Sequence, residues 1–229
     1  MTTNYQDQTR MLVAVDCIIF GFDNEELKLL LIKRNFEPEK GKWSLMGGFL
    51  QEEETSAEAA NRVLHSLTGL QDVYMEQVRT FSHPERDPVE RTISIAYYAL
   101  INIEDHNQEL SKKHSAEWFS LSNAPQLIFD HGDMVTTAIN LLRYKTSVQP
   151  IGFELLPEKF TMRQLQKLYE AILDQELDKR NFVKKINQLD VLTKLEEKDM
   201  TSSKKGSYLY QFDKEKYASE SRGDFSLNI

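Results

Sequence analysis

Gly48-Phe-Leu-Gln-Glu-Glu-Glu54-Thr-Ser-Ala-Glu58-Ala-Ala-Asn-Arg62-Val-Leu-His-Ser-Leu-Thr-Gly69-Leu70 organises the N-terminal part of this chain. Thr55 followed three residues later by Glu58 is a capping box, in which each side chain satisfies a backbone N–H at the start of a helix. Ala57, Ala60, Leu64 and Leu67 recur at helical spacing and Gly69 supplies a stop, so the pattern predicts a short helix over 56–68. Just upstream, Trp43-Ser-Leu-Met46 reads as a short strand, and Gly47-Gly48 as a sharp turn that no side chain obstructs.

Working outward, Leu12 to Phe22 is almost continuously apolar, and after Asp23-Asn24-Glu25 the pattern resumes at Leu27 to Ile32, which predicts a hairpin of buried strands. Asp16 interrupts the first strand, either as a carboxylate paired with a lysine such as Lys33 or as a polar group aimed into a pocket. Strands follow near 73–81 and 91–101, separated by the charged, proline-bounded loop Ser82 to Pro88. Trp118-Phe119 marks a strand end, and Met134 to Leu142 carries a helical pattern. Cys17 reads as a small core side chain, and His65 and His114 as surface residues.

Pro150, Gly152 and Pro157 punctuate a linker over 147–157, beyond which the pattern changes. Thr161 with Gln164 is a second capping box, and Leu165, Leu168, Tyr169, Ile172 and Leu173 form one apolar face of a helix over 162–173. Asp178 can cap a further helix with Phe182, Ile186 and Leu189 buried and Lys179, Arg180, Lys184, Lys185, Asn187 and Gln188 outward. A basic turn at Ser202 to Gly206 precedes the strand-like Tyr208 to Phe212. Helix, short turn, basic helix and hairpin together describe a winged helix-turn-helix.

With 229 residues, 40% apolar and 28% charged, the chain is long enough for a substantial core and is not a fibrous or disordered composition. One cysteine excludes an internal disulfide and a cysteine-rich zinc site. No apolar run approaches the roughly 20 residues of a membrane span, and the polar start is unlike a signal peptide, so the expected location is cytoplasmic. The net charge of −8 argues against a general nucleic-acid coat, but residues 178–205 hold 8 basic and 5 acidic residues, a local excess suited to a small duplex-binding surface.

Gly48, Glu54, Arg62, Leu64, Gly69 and Leu70 fall at the spacing of the Nudix box, with Trp43 and Gly47-Gly48 as its lead-in, and Phe129-Asp-His131 resembles the start of the late Nudix helix. The stretches Leu156 to Leu173 and Leu177 to Lys185 resemble the second-domain motifs of the Nudix-related transcriptional regulators. The resemblance spans nearly the whole chain. It implies an α+β architecture: a Nudix-like α/β/α sandwich as effector domain over 1–149, then a C-terminal winged helix-turn-helix DNA-binding domain over 150–229. The first-described members of that family respond to ADP-ribose-type nucleotides. By general likeness this sequence looks closest to the sugar-responsive, L-arabinose-type branch from Bacteroides-type bacteria.

Active Nudix enzymes, by the same resemblance, carry glutamates at the positions of Val63, Ser66 and Leu67. Mg²⁺ needs hard oxygen ligands, which carboxylates at i, i+3 and i+4 on one helix face provide. Val63 and Leu67 offer no oxygen and Ser66 only a neutral one, while Glu52, Glu53, Glu54 and Glu58 read as a solvated, cap-favouring face. The expectation is a non-enzyme with no catalytic residues, no metal and no cofactor. A Nudix hydrolase of nucleoside diphosphate derivatives such as ADP-ribose is the main competing reading, and a protein-binding module a third.

The resemblance places an effector, expected to be a sugar, at Arg86, Asp87, Arg91 and Tyr97, and the strand reading adds Asp16 and Lys33 to the expected effector site; charged side chains can bond hydroxyls and a ring can cover C–H faces. Arg86 and Asp87 can alternatively brace the loop by pairing with each other, and Tyr97 can fill the core. Contacts to a DNA operator are expected from Lys179, Arg180, Asn181, Lys184, Lys185, Asn187 and Gln188, with Lys204 and Lys205 at the wing tip. A homodimer on a palindromic site would add two individually weak half-sites, and a repressor released by its sugar is the expected logic.

Overall fold

Strand β1 (Leu12–Phe22) turns through the expected hairpin into β2 (Leu27–Lys33) and lies parallel to β6 (Thr92–Leu100) in the computed structural model, which describes residues 4–71, 73–104, 113–201 and 205–219. With β3 (Trp43–Ser44), β4 (Met46–Phe49), β5 (Tyr74–Phe81) and β7 (Ala116–Ser120) they make a seven-stranded mixed sheet. Its main path runs β3-β2-β1-β6-β5, with β4 on β1 and β7 on β2.

Successive strand residues point to opposite faces, so β1 sorts its side chains between two cores. Val15, Cys17 and Ile19 pack with Ala60, Leu64 and Leu67 of helix α1 (Ser56–Thr68). Ile18, Phe20 and Phe22 share the other face with Leu29, Leu31 and Tyr98, under Met134, Ala138 and Leu142 of helix α2 (His131–Val148). This is the Nudix-type α/β/α sandwich. Helix α1 starts at the predicted capping box and stops at Gly69, whose φ of 74° suits glycine best. Helix α2 outruns its apolar stripe in both directions: its first turn supplies His131 to a polar cluster, and Lys145 near its end is ion-paired with Glu76 of β5.

The second half follows the predicted order. Helix α3 (Met162–Leu173) has the Thr161/Gln164 capping box, and Asp178 caps helix α4 (Lys179–Gln188) by accepting from the Asn181 N–H at 2.9 Å. Strands β8 (Phe160–Thr161), β9 (Leu192–Asp199) and β10 (Ser207–Phe212) form a sheet in the order β8-β10-β9, and β9 with β10 is the wing. A short helix α5 (Lys214–Ser219) closes the described chain. Fully buried Tyr169 and Phe182 meet edge to face at 5.4 Å and lock α3 against α4.

The predicted linker is not a free hinge. Ile151, Phe153, Leu155 and Leu156 are buried, and they join the core beneath α2 to that of the winged helix in one continuous cluster. Arg143 of α2 donates through Nε to the Ile172 carbonyl of α3 at 2.9 Å. Among the described residues, no helix is long and apolar enough to cross a membrane.

Candidate functional site

Beneath the N-terminus of α2, four polar side chains are buried on the sheet face that α2 covers. Asp16 accepts from Ser94 Oγ at 2.5 Å and has Arg86 Nη2 at 3.6 Å and His131 Nε2 at 3.8 Å. Gly47 pairs with Asp16 across the sheet, and a Cβ there would lie 2.4 Å from Asp16 Oδ1, so the carboxylate's position requires glycine. Arg86 makes a two-pronged ion pair with Asp130, Nε to Oδ2 at 2.9 Å and Nη2 to Oδ1 at 2.8 Å. The Leu45 N–H donates to His131 Nδ1 at 3.1 Å, so a neutral ring carries its proton on Nε2, toward Asp16. Burial holds the His131 pKa below its ordinary value; Asp16 and Asp130 pull the other way without reversing it.

Above this cluster opens a cleft of about 710 Å³ whose walls include Arg79, Phe81, His83, Arg86, Phe129 and Asp130. Glu39, Glu85 and Asp133 line it as well, so it joins aromatic rings to side chains of both charges, a lining suited to a polar ligand with a planar part. Phe129 has φ of 48°, a conformation that costs a bulky side chain energy and is held here by the fold. Arg34 lies 5.6 Å from the Phe129 ring and 3.9 Å from that of Phe36.

The sequence-predicted effector residues do not form one site. Asp16 and Arg86 come together, but Asp16 faces Ser94 and Arg86, not Lys33, which is exposed and sits over Trp43 at 5.8 Å. Arg86 pairs with Asp130 in place of Asp87, whose carboxylate instead accepts from the Val89 N–H at 2.9 Å. Arg91 is spent on the loop, donating to the carbonyls of Ser82 and His83 at 2.9 and 3.2 Å. Tyr97 points to the other face of the sheet, where it is buried beside α1 and bonded to Ser56 Oγ at 2.8 Å. Strand parity excludes it from the face that carries Asp16.

The Nudix-box positions do not fit a divalent metal. Val63 and Leu67 are buried in the core beneath α1, and Ser66 donates its hydroxyl to the Val63 carbonyl at 2.7 Å. The remaining carboxylate of the motif, Glu54, is clamped by Arg62 at 2.9 and 2.5 Å, and Glu58 is bonded to its cap. Among the described residues, no three His, Cys, Asp or Glu side chains converge to hold a metal.

On the second domain, α4 buries Phe182 and Ile186 and exposes Lys179, Arg180, Asn181, Lys184, Asn187 and Gln188, with Lys185 half-buried. Lys205 is exposed at the wing turn, while Lys204 lies outside the described residues. The wing adds two cations that the sequence reading did not single out: Lys194 and Lys198 sit over the Tyr208 ring at 3.6 and 4.6 Å. Together these side chains give the donors and amides that duplex DNA presents partners for.

Comparison with known proteins agrees with both halves. Residues 10–137 match the NUDIX domain model and residues 152–212 match the NrtR DNA-binding winged helix domain. A curated relative from Acinetobacter baylyi, an ADPR responsive transcriptional repressor NtrR, is 33% identical over 90% of this chain and 84% of its own. An ADP-ribose pyrophosphatase from Methanocaldococcus jannaschii is 39% identical over 54% of this chain and 70% of its own. The crystal structure of Shewanella oneidensis NrtR complexed with a 27mer DNA superposes with a TM-score of 0.83 at 25% identity, covering 90% of this chain and 95% of that one.

Proposed function

The chain belongs to the NrtR-type family, a Nudix domain followed by a DNA-binding winged helix, and on that premise we propose that it is a transcriptional repressor released from its operator by an ADP-ribose-class nucleotide. Residues 1–149 form the effector domain and 150–229 the DNA-binding domain. The observation that carries the reading is the exposed face of α4, where Arg180, Lys184 and Gln188 stand at i, i+4 and i+8 above a buried Phe182 and Ile186.

In this reading Lys179, Lys184 and the wing lysines meet phosphates, while Arg180, Asn181, Asn187 and Gln188 reach base edges. A homodimer on a palindromic operator combines two such surfaces.

The nucleotide replaces the expected sugar. The relative that shares most of the chain is ADPR responsive, whereas the L-arabinose expectation rested on general likeness. The cleft's aromatic rings, Phe81 and Phe129, suit a nucleotide base better than a pentose alone. Arg86, Asp130 and Asp16 then shape the wall, and Asp87 and Arg91 brace the loop beside it.

The pyrophosphatase relative favours hydrolysis as a second reading, which the buried Val63 and Leu67 oppose. Fluorescence anisotropy on an operator selected from random duplexes tests the proposal: ADP-ribose should release it and L-arabinose should not. Release by L-arabinose alone returns the protein to the sugar-responsive branch, and failure to enrich any duplex contradicts the repressor reading.

A further inference from the structure

In the wing, β10 pairs Ser207 with Asp199 and Tyr208 with Lys198, yet Tyr210 with Lys194 and Phe212 with Leu192. While β10 advances from Tyr208 to Tyr210, β9 runs from Lys198 back to Lys194, so β9 carries extra residues opposite Leu209. Continued without that shift, the first register would set Glu196 opposite Tyr210 and Lys194 opposite Phe212, too far along the strand to meet Tyr208. With it, Lys198 is the direct neighbour of Tyr208 and Lys194 its diagonal one, both within reach of a ring. The two ammoniums accordingly lie 4.6 and 3.6 Å from the Tyr208 ring centroid.

The wing turn makes room for this arrangement. A Cβ on Gly206 would come 3.1 Å from Lys198 Cβ and 3.2 Å from its Cδ, so the glycine leaves the space in which the Lys198 stem lies. Among the described residues, neither ammonium has a carboxylate partner: Glu197 is taken by Lys159, and Glu196 is ion-paired with neither lysine. Two like charges gathered on one ring repel each other and are left to be neutralised from outside. Strand alternation puts Tyr208 on the face of β10 that carries Tyr210 and Phe212, which pack on the core that α4 enters through Phe182 and Ile186. Tyr208 itself is 41% exposed, past the edge of that core, so both cations stand on the α4 side of the sheet.

We propose that Tyr208 is a positioning residue of the DNA interface, its ring holding Lys194 and Lys198 in place for the phosphodiester backbone beside the groove that α4 enters. This rests on the repressor reading above and adds to it a division of labour: the lysines supply charge, and the ring supplies order. A stem already seated on a ring loses less rotamer freedom when its ammonium meets a phosphate, so the ring raises affinity without adding charge.

Fluorescence anisotropy on the full chain tests it, with the selected operator and a scrambled duplex of equal length, each at several salt concentrations. Lys194→Ala and Lys198→Ala each lower the salt slope by about 1. Tyr208→Leu weakens both duplexes by the same factor, roughly 3- to 10-fold, and keeps the wild-type slope because no charge is lost. Tyr208→Phe, which keeps the ring, binds as wild type does. Each lysine substitution costs less affinity in the Tyr208→Leu background than alone. Wild-type binding by Tyr208→Leu, a Tyr208→Phe as weak as Tyr208→Leu, or a loss confined to the operator overturns the assignment while leaving the repressor reading in place. Absence of any duplex binding by wild type removes the repressor reading and the assignment with it.

Discussion

Arg143 Nε donates to the carbonyl of Ile172 at 2.9 Å, a bond between the helix that covers the Asp16–Arg86 cluster and the last turn of the first winged-helix helix. The N-terminus of α2 is tied by Asp130 to Arg86 in the cleft wall, so this one helix joins the cleft wall at one end to α3 at the other. Its second tie, Arg143 Nη2 to Asp174 at 3.3 Å, is mostly exposed and adds little.

Arg143→Ala is therefore expected to leave operator affinity and nucleotide affinity, each measured alone, within about threefold of wild type, while shrinking the factor by which one ligand weakens the other. Couplings of this kind are typically about 1 to 3 kcal/mol, or roughly 5- to 150-fold. Operator titrations with and without ADP-ribose read the factor, and an unchanged factor would show that α2 does not carry the signal.

Loss of Arg86 is expected to destabilise the cleft wall. Its side chain is 4% exposed and serves both Asp130 and Asp16, so Arg86→Met leaves two carboxylates without their cation. Breaking a buried pair this way costs about 2 to 4 kcal/mol, discounted for the partial exposure of Asp130. Urea unfolding measures it, and a loss under about 1 kcal/mol would mean that the pair contributes little.

How much of this was legible in the sequence follows from the range of the interactions. Both capping boxes, the β1–β2 hairpin and the α3–α4 pair are local patterns, and they stand where the spacing put them. The partner of Asp16 was not legible, because Ser94, Arg86 and His131 are brought to it by the sheet and by α2 from far along the chain. Nor was the split of Tyr97 from Asp16, which depends on the register of β6 against β1. Lys194 was missed for a different reason: a register shift in the wing brings it to Tyr208, and nothing in Lys194-Leu-Glu-Glu-Lys198 announces one. The 147–157 segment reads as a linker because Pro and Gly punctuate it, whereas Ile151, Phe153, Leu155 and Leu156 within it are buried.

His131 makes stability pH-dependent. Its pKa is lowered from 6.5 by burial, so below 6.5 the unfolded chain binds a proton that the folded ring resists. The contribution is complete above 6.5 and is lost as the pH falls from there toward the depressed folded value. His131→Gln is expected to flatten that limb of the stability curve in urea titrations at several pH values. A variant as steep as wild type would assign the acid limb to other groups.

Substituting carboxylates back into α1 should fail structurally before it succeeds chemically. Leu67 is fully buried, so Leu67→Glu is expected to destabilise by about 3 kcal/mol or more. Wild type offered ADP-ribose with Mg²⁺ or Mn²⁺ should give no hydrolysis above a Glu54→Ala control, followed by release of AMP and ribose phosphate. Turnover above that control would restore the hydrolase reading.

Lys184→Ala should weaken operator binding across sequences and reduce the salt slope by about 1 for one lost phosphate contact, without altering nucleotide affinity. Anisotropy at several salt concentrations checks this. Wild-type behaviour would place α4 outside the groove.

The antagonism between nucleotide and operator is tested most directly by measuring ADP-ribose affinity twice by calorimetry, on the free protein and on the protein saturated with its operator. Linkage requires the operator to weaken ADP-ribose by the same factor that ADP-ribose weakens the operator. The account predicts a weaker nucleotide affinity on the operator complex, equal in ratio to the operator shift. Equal or tighter nucleotide binding to the operator complex would contradict it.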